Sequence, residues 1–247
     1  MSAIDLNSDL GEGVGDDAAV FGLVTSANVA CGGHAGDEAS MRACVALAIE
    51  HGVSLGAHPS YPDREGFGRR NTEIDADQLR AEIADQIAAL AGIATSAGTR
   101  VRYLKPHGAL YNRVAVDPVQ ADTVALAAKD AGLPLLGLAG TAIQAAADRH
   151  GLLFFREAFV DRAYLPDGTL APRSVDGAVI TDPIVAAERA VRMVLDGTVP
   201  AMDGTVLRVE LDSLCVHGDT SGAVAMAMAT AVRVRLMAAG VELRAFA

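Results

Sequence analysis

The chain has 247 residues, of which 51% are hydrophobic and 21% are charged, and its formal net charge is −11. This hydrophobic content excludes a disordered chain, and the negative charge disfavours nucleic acid as a partner because a polyanion is repelled. The three cysteines are widely spaced and odd in number, which excludes a disulfide framework and a thiolate metal cluster.

The terminal regions show no targeting or membrane signal. The first residues lack a basic segment followed by a long apolar run, so no secretory signal is expected. The longest uncharged run near the C-terminus is interrupted by Arg233 and Arg235, too early to cross a bilayer. These features predict a cytoplasmic protein that does not associate with a membrane.

Short apolar runs alternate along the chain with longer segments of helical periodicity. Strands are predicted at 3–7, 23–30, 53–57, 101–105, 133–139 and 152–158, with one or two more within 205–217. Helices are predicted at 37–52, 75–98, 117–132, 182–197 and 221–240. Most of these helical segments begin with Asp, which caps free amides, and end with Gly, which permits a left-handed stop.

This alternation predicts one parallel α/β domain over residues 1–247, because no linker, internal repeat or low-complexity segment divides it. The sheet can close into a β/α barrel or remain an open doubly wound sheet. The glycine-rich "GEGVGDD" does not match GxGxxG, and the chain contains no GxxxxGK[ST] motif. The absence of both nucleotide motifs weakens the open-sheet alternative.

Four of the six histidines directly follow predicted strands: His34, His58, His107 and His217. The carboxyl ends of parallel strands converge on one face, so a shared cleft is predicted there. The same rule adds further polar residues to the cleft: Asn7, Asp9, Glu12, Lys105, Asp161 and Asp219. The remaining two histidines precede glycines at predicted helix ends, where an imidazolium favours the helix dipole.

The long loop 59–75 carries Arg64, Arg69 and Arg70, which suit a clamp for a carboxylate or phosphate. A metal site of the His/His/Asp kind found in metal-dependent deacetylases is not favoured, since no HxxH or HExxH spacing is present. The histidines come from separate strands, so spacing does not test this alternative. No GxSxG elbow is present, and Cys31 is interpreted as a packing residue.

Six ordered motifs between about residues 4 and 220 resemble those of the LamB/YcsF family: "DLNSDLGEG", "ANVACGGHAGD", "GAHPSYPDREGFGRR", "LKPHGALYN", "EAFVDRAY" and "CVHGDT". The resemblance implies a distorted, TIM-like β/α barrel of about seven parallel strands, similar to the glycoside hydrolase/deacetylase superfamily. It also implies hydrolysis of 5-oxo-L-proline to L-glutamate, coupled to conversion of ATP to ADP and phosphate. Two further subunits, B and C, are expected to complete the enzyme.

This reaction needs a base, a donor to the developing oxyanion and an acid for the departing nitrogen. We expect Asp9 and His217 to act as a base pair, and Lys105 and His107 to stabilise the oxyanion. Further polar groups of the cleft are expected to contribute: Asn7, Glu12, His34, His58, Asp161 and Asp219. Arg69 or Arg70 is expected to bind the substrate carboxylate.

Three matters stay open at the level of sequence. Because no phosphate-binding loop is present, the subunit that binds ATP is not identified. A metal-dependent deacetylase or amidohydrolase acting alone is one alternative function. A non-catalytic scaffold subunit is the other.

Overall fold

Strands and helices alternate along the chain in the computed structural model, which describes residues 2–217 and 222–247. The strands are β1 (Ala3–Leu10), β2 (Ser26–Ala30), β3 (Ser54–His58), β4 (Tyr103–Leu104), β5 (Leu135–Leu138), β6 (Phe154–Phe159), β7 (Thr198–Pro200), β8 (Val206–Arg208), β9 (Ser213–Cys215) and β10 (Glu242–Leu243). The helices are α1 (Asp17–Phe21), α2 (Glu38–His51), α3 (Ala76–Ser96), α4 (Gly108–Val116), α5 (Pro118–Asp130), α6 (Ala142–His150), α7 (Pro183–Asp196) and α8 (Gly222–Ala238).

Seven strands form a closed parallel barrel in the order β1, β2, β3, β4, β5, β6, β9, with β9 pairing back to β1. Strand β10 pairs in parallel with the start of β1, at Ala3 and Ile4, and β7 pairs with β8 as a separate antiparallel hairpin. The closure of the sheet confirms the predicted barrel of about seven parallel strands and excludes the open-sheet alternative.

The chain divides by its internal contacts into two compact units that interleave in sequence. The first unit comprises the chain up to Ser8, Val14–Ser26 and Arg156–Phe246. The second unit comprises Asp9–Gly13, Ala27–Phe155 and Ala247. One continuous domain over residues 1–247 therefore stays a prediction.

The helices form where the sequence places caps and apolar stripes. The Asp75 side chain accepts a hydrogen bond from the backbone N–H of Gln78 at the start of α3, which satisfies one free amide. The predicted apolar stripe of that helix is fully or nearly fully buried: Leu79, Ile83, Ile87 and Leu90. Gly52 ends α2 in the left-handed conformation, as its position after a helical pattern predicts.

Within the described residues, no helix combines the length and hydropathy that a membrane crossing requires.

In the first unit, Asp5 is fully buried and accepts hydrogen bonds from three hydroxyl groups. Its Oδ1 accepts from Thr25 and Ser26, both at 2.6 Å, and its Oδ2 accepts from Ser213. Burial raises the pKa of this carboxyl to about 6 because a charge there is poorly solvated, although the three hydroxyls oppose the rise. The folded state therefore holds the Asp5 proton more tightly than the unfolded state.

Replacing Asp5 by Asn should change how stability depends on pH. The stability contributed by protonated Asp5 is fully present below its ordinary pKa of 3.8 and is lost as pH rises through about 6. The free energy of unfolding of the wild type, relative to Asp5→Asn, should fall by about 2 kcal/mol between pH 4 and pH 7. Urea denaturation of both proteins across this range measures the difference, and a difference that stays constant with pH contradicts the assignment.

Candidate active site

Six of the predicted site residues lie together in the second unit, at or just beyond the carboxyl ends of strands β1 to β4. Each exposes no more than 7% of its surface. We call them the acid–histidine cluster: Asp9, Glu12, His34, His58, Lys105 and His107. Burial of this many ionisable side chains is costly unless they are paired or bind a ligand, so the cluster is the principal candidate for a functional site.

The Lys105 ammonium is paired with the Asp9 carboxylate. The Lys105 Nζ lies 2.8 Å from Asp9 Oδ1, and the Asn28 Nδ2 donates to the same oxygen at 2.8 Å. The Asn28 Oδ1 in turn accepts from the Tyr103 hydroxyl at 2.7 Å. These contacts hold a positive charge at a fixed place in the interior, where loss of either partner leaves an uncompensated charge.

The second half of the cluster is arranged around one oxygen atom of Glu12. Its Oε1 lies 3.0 Å from His34 Nε2, 3.3 Å from His107 Nδ1 and 4.0 Å from His58 Nε2. The His107 Nδ1 is also 3.0 Å from His58 Nε2, and the rings of His34 and His107 stack with centroids 3.6 Å apart. These four ligand atoms all lie within 4.8 Å of one another, so the group is able to hold a metal ion.

Backbone carbonyls fix the orientation of two of these rings. The His58 Nδ1 donates to the carbonyl oxygen of Lys105 at 2.8 Å. The His107 Nε2 donates to the carbonyl oxygen of Phe67 at 3.0 Å. A carbonyl oxygen only accepts, so both of these nitrogens carry hydrogen. The opposite nitrogens face carboxylate oxygens: His107 Nδ1 lies 3.3 Å from Glu12 Oε1, and His58 Nε2 lies 3.3 Å from Asp9 Oδ2.

Two of the histidines are held neutral by their surroundings. Burial lowers the pKa of His34 to about 2, and repulsion from a charge on His58 acts in the same direction. Burial also holds the pKa of His107 well below its ordinary value, with His58 and His34 contributing. Neutral imidazoles are hydrogen-bond acceptors, proton acceptors and metal ligands.

The loop before α3 supplies the carbonyl that orients His107. Phe67 has a φ of 54°, which is uncommon for a bulky residue. The next residue, Gly68, donates its N–H to Asp63 O at 2.7 Å and accepts from Ala109 N at 2.8 Å. Strained backbone of this kind persists where surrounding contacts over-determine it, and here those contacts turn the Phe67 carbonyl toward His107.

Replacing Gly68 by Ala should destabilise the protein through a collision with the cluster. The added Cβ would lie 2.8 Å from both His107 Cδ2 and His34 Cβ. Gly132→Ala is a matched control, since Gly132 has a φ of 66° against 64° for Gly68, with nothing within 4 Å of its added Cβ. Both variants incur left-handed strain, but Gly68→Ala should lose a further 1–3 kcal/mol, roughly the cost of overpacking. Urea denaturation measures both, and equal losses would contradict the prediction.

Three other predicted site residues lie in the first unit. The His217 Nδ1 lies 3.0 Å from Asp161 Oδ1, and Asp161 Oδ2 accepts from the His217 backbone N–H at 2.8 Å. Burial raises the pKa of Asp161, but the charge and hydrogen bonds of His217 outweigh it, so the pKa lies below its ordinary value. Asn7 donates to Ser213 Oγ at 2.7 Å. The predicted pairing of Asp9 with His217 joins residues of different units and stays a prediction.

The predicted arginine clamp lies on the exposed loop beside the cluster. The Arg69 guanidinium carbon is 5.1 Å from the centre of the Phe67 ring. The Arg70 Nη1 lies 3.7 Å from Asp63 and 3.6 Å from Glu65, so acidic groups of its own loop already neighbour it. A role for either arginine toward a substrate carboxylate stays a prediction. The remaining predicted residue, Asp219, lies outside the described residues.

The sequence interpretation missed two kinds of contributor to this site. Asn28 and Tyr103 support Asp9 from within strands, and the only signal for Asn28 is a polar residue interrupting the apolar run "SANVA". The Phe67 carbonyl has no side-chain signal at all.

The loop 59–75 also lines a cavity of about 410 Å³ in the second unit. The lining residues are Gly32, Gly33, Pro62, Asp63, Arg64 and Glu65.

Comparison with known proteins identifies relatives over the full chain. A protein from Mycobacterium avium (strain 104), named as a 5-oxoprolinase subunit, is 53% identical over 253 residues, which cover 100% of both chains. The crystal structure of a lactam utilization protein from Thermus thermophilus is 45% identical, with a TM-score of 0.92, covering 99% of this chain and 100% of that one.

A more distant structure shares only the fold. A family 4 carbohydrate esterase from Streptomyces lividans, in complex with acetate, is 13% identical with a TM-score of 0.52, covering 100% of this chain and 93% of that one. The sequence model of the LamB/YcsF family matches residues 4–247. Together with the full-length relatives, this match shows that the chain belongs to the LamB/YcsF family.

Proposed function

We propose that this chain is one component of an ATP-dependent 5-oxoprolinase, which hydrolyses 5-oxo-L-proline to L-glutamate and ATP to ADP and phosphate. The observation that carries the proposal is the acid–histidine cluster, a buried ammonium beside neutral imidazoles in the same compact unit. The name of the Mycobacterium avium relative, at 53% identity, points to the same substrate. The proposed complex contains two further subunits.

The cluster has the groups that opening of a cyclic amide requires. A five-membered lactam is an unreactive amide, and transfer of the ATP γ-phosphoryl group to its oxygen, with release of ADP, would make the ring carbon electrophilic. Water would add to that carbon, the C–N bond would break as the nitrogen takes up a proton, and a second water would release phosphate from the resulting acyl phosphate to give glutamate. The Lys105 ammonium would stabilise the negative charge carried at that oxygen, and His107 would do so only in a form whose Nδ1 carries a proton, since its Nε2–H already donates to the Phe67 carbonyl. A neutral imidazole would accept a proton from the attacking water, and a protonated group would supply one to the departing nitrogen.

The pair formed by Asp161 and His217 is the proposed second source of proton transfer. The carboxylate accepts from His217 Nδ1, which fixes the imidazole in one orientation. In the proposed reaction, His217 acts as the base and Asp161 stabilises the imidazolium that forms. Asn7, Glu12, His34 and His58 contribute further polar contacts in this proposal, and Arg69 or Arg70 binds the substrate carboxylate.

The decisive experiment reconstitutes the activity from separately purified proteins. Glutamate and ADP are measured after 5-oxoproline and ATP are added to this chain with its two proposed partner subunits, and to the two partners alone. The proposal predicts formation of both products only in the complete mixture. Equal glutamate formation without this chain, with all proteins folded, would refute it.

A second candidate function is favoured by the ligand-like arrangement around Glu12. A metal-dependent amidohydrolase acting alone would need bound metal and neither ATP nor partner subunits. Incubating the metal-loaded chain with 5-oxoproline in the absence of ATP separates the two candidates. Glutamate formed under these conditions supports the second function and contradicts the ATP-dependent one.

A further inference from the structure

Glu12 Oε1 and one nitrogen from each of three histidines lie within 4.8 Å of one another, close enough to share one small ion. In a tetrahedral zinc site with metal–ligand distances of about 2.0–2.1 Å, neighbouring ligand atoms are about 3.3 Å apart. The separations found here are 3.0, 3.3 and 4.0 Å from Glu12 Oε1 to the three histidines. The separation between the facing nitrogens of His58 and His107 is 3.0 Å.

The hydrogen bonds on the far side of two rings direct their opposite nitrogens toward one another. The His58 Nδ1 and the His107 Nε2 both donate to backbone carbonyls. Their other nitrogens lie 3.0 Å apart, and each has a carboxylate oxygen at 3.3 Å: Asp9 Oδ2 beside His58 Nε2 and Glu12 Oε1 beside His107 Nδ1. A single proton can bridge only one pair of these atoms, whereas a metal ion accepts a lone pair from each of them.

The charges and supporting contacts of the cluster agree with a bound cation. The cluster holds two carboxylates, Asp9 and Glu12, against the single ammonium of Lys105, so acidic side chains outnumber the lysine beside the histidines. A backbone carbonyl behind a ligating histidine is the usual outer partner of a metal site, because it fixes the tautomer and the ring orientation. Both His58 and His107 have such a partner.

We propose that one zinc ion binds within the acid–histidine cluster to a carboxylate oxygen and three imidazole nitrogens: Glu12 Oε1, His34 Nε2, His58 Nε2 and His107 Nδ1. A donor set of three nitrogens and one oxygen suits zinc better than the oxygen-preferring magnesium or calcium. On binding, the stacked rings of His34 and His107 would tilt so that each ring plane contains the ion. Asp9 remains outside the ligand set and holds Lys105 beside the ion. The site is independent of the proposed function, since it requires neither ATP nor partner subunits.

Zinc content and affinity of the full chain test this site directly. The chain is stripped with a chelator, zinc is titrated by calorimetry, and the metal content is measured after dialysis. The wild type and the control His51→Ala, at the exposed end of α2, should each bind one zinc ion per chain. His58→Ala and Glu12→Gln should bind zinc at least about 100-fold more weakly, beyond the 10- to 100-fold effect of losing an outer partner.

Cobalt spectroscopy provides a test that does not depend on a variant folding. Cobalt added to the stripped wild-type chain should give the intense visible absorption of a four-coordinate ion, and zinc should abolish it. A folded wild-type chain that binds neither ion, or zinc binding unchanged in His58→Ala and Glu12→Gln, overturns the proposal. Since ATP and 5-oxoproline are absent, these results are independent of whether the chain belongs to a 5-oxoprolinase.

Discussion

Replacing Lys105 by Met is expected to abolish glutamate formation by the reconstituted enzyme and to destabilise this chain. The substitution removes a buried ammonium and takes the lysine away from the buried Asp9 carboxylate. Breaking a buried pair on one side costs about 3–5 kcal/mol. Loss of a charged donor to the developing oxyanion should lower turnover by at least about 100-fold. Urea denaturation and a glutamate assay measure the two effects.

Two controls separate a loss of chemistry from a loss of folding. Lys129→Met removes the other lysine, which is exposed in the last turn of α5, and should leave both measurements nearly unchanged. The double variant Lys105→Met with Asp9→Asn removes both charges, so it should recover much of the lost stability while remaining inactive. Wild-type turnover in the folded single variant would remove Lys105 from the proposed site.

Replacing His107 by Ala should lower turnover about 100- to 1,000-fold while the chain remains folded. The His107 ring lies against Glu12 and stacks on His34, and its Nδ1 faces His58. Its removal therefore takes away a donor or acceptor from the middle of the cluster. The matched control is His51→Ala, which removes an exposed imidazole at a helix end. If His107→Ala keeps full turnover, His107 has no part in the reaction.

The strand ends were predictable because each carries a polar residue directly after an apolar run. His34 and His107 follow β2 and β4, and His58 is the last residue of β3; parallel topology alone brings such positions together. The barrel follows from the same alternation of strands and helices. The short elements were missed, including β7 and α1, because three to five residues carry little periodicity.

Other features of the site depend on backbone geometry that has no sequence pattern. The stretch "KPHG" is suggestive of a turn, yet helix α4 begins at Gly108. The φ of 57° at Gly108 lets the backbone change from the extended conformation of His107 to the helix. The tautomer of His107 depends on a carbonyl from residue 67, in the irregular loop 59–75. The four residues that could hold a metal ion likewise match no spacing motif, because they come from separate segments of the chain.

In the proposed function, the lactam is opened at the acid–histidine cluster of this chain. The decisive observation is a crystal structure of the assembled enzyme soaked with saturating 5-oxoproline and without ATP. We expect the lactam to contact the cluster, with its ring carbonyl oxygen within hydrogen-bond distance of Lys105. A lactam bound only on a partner subunit, or elsewhere on this chain, would refute this placement of the reaction.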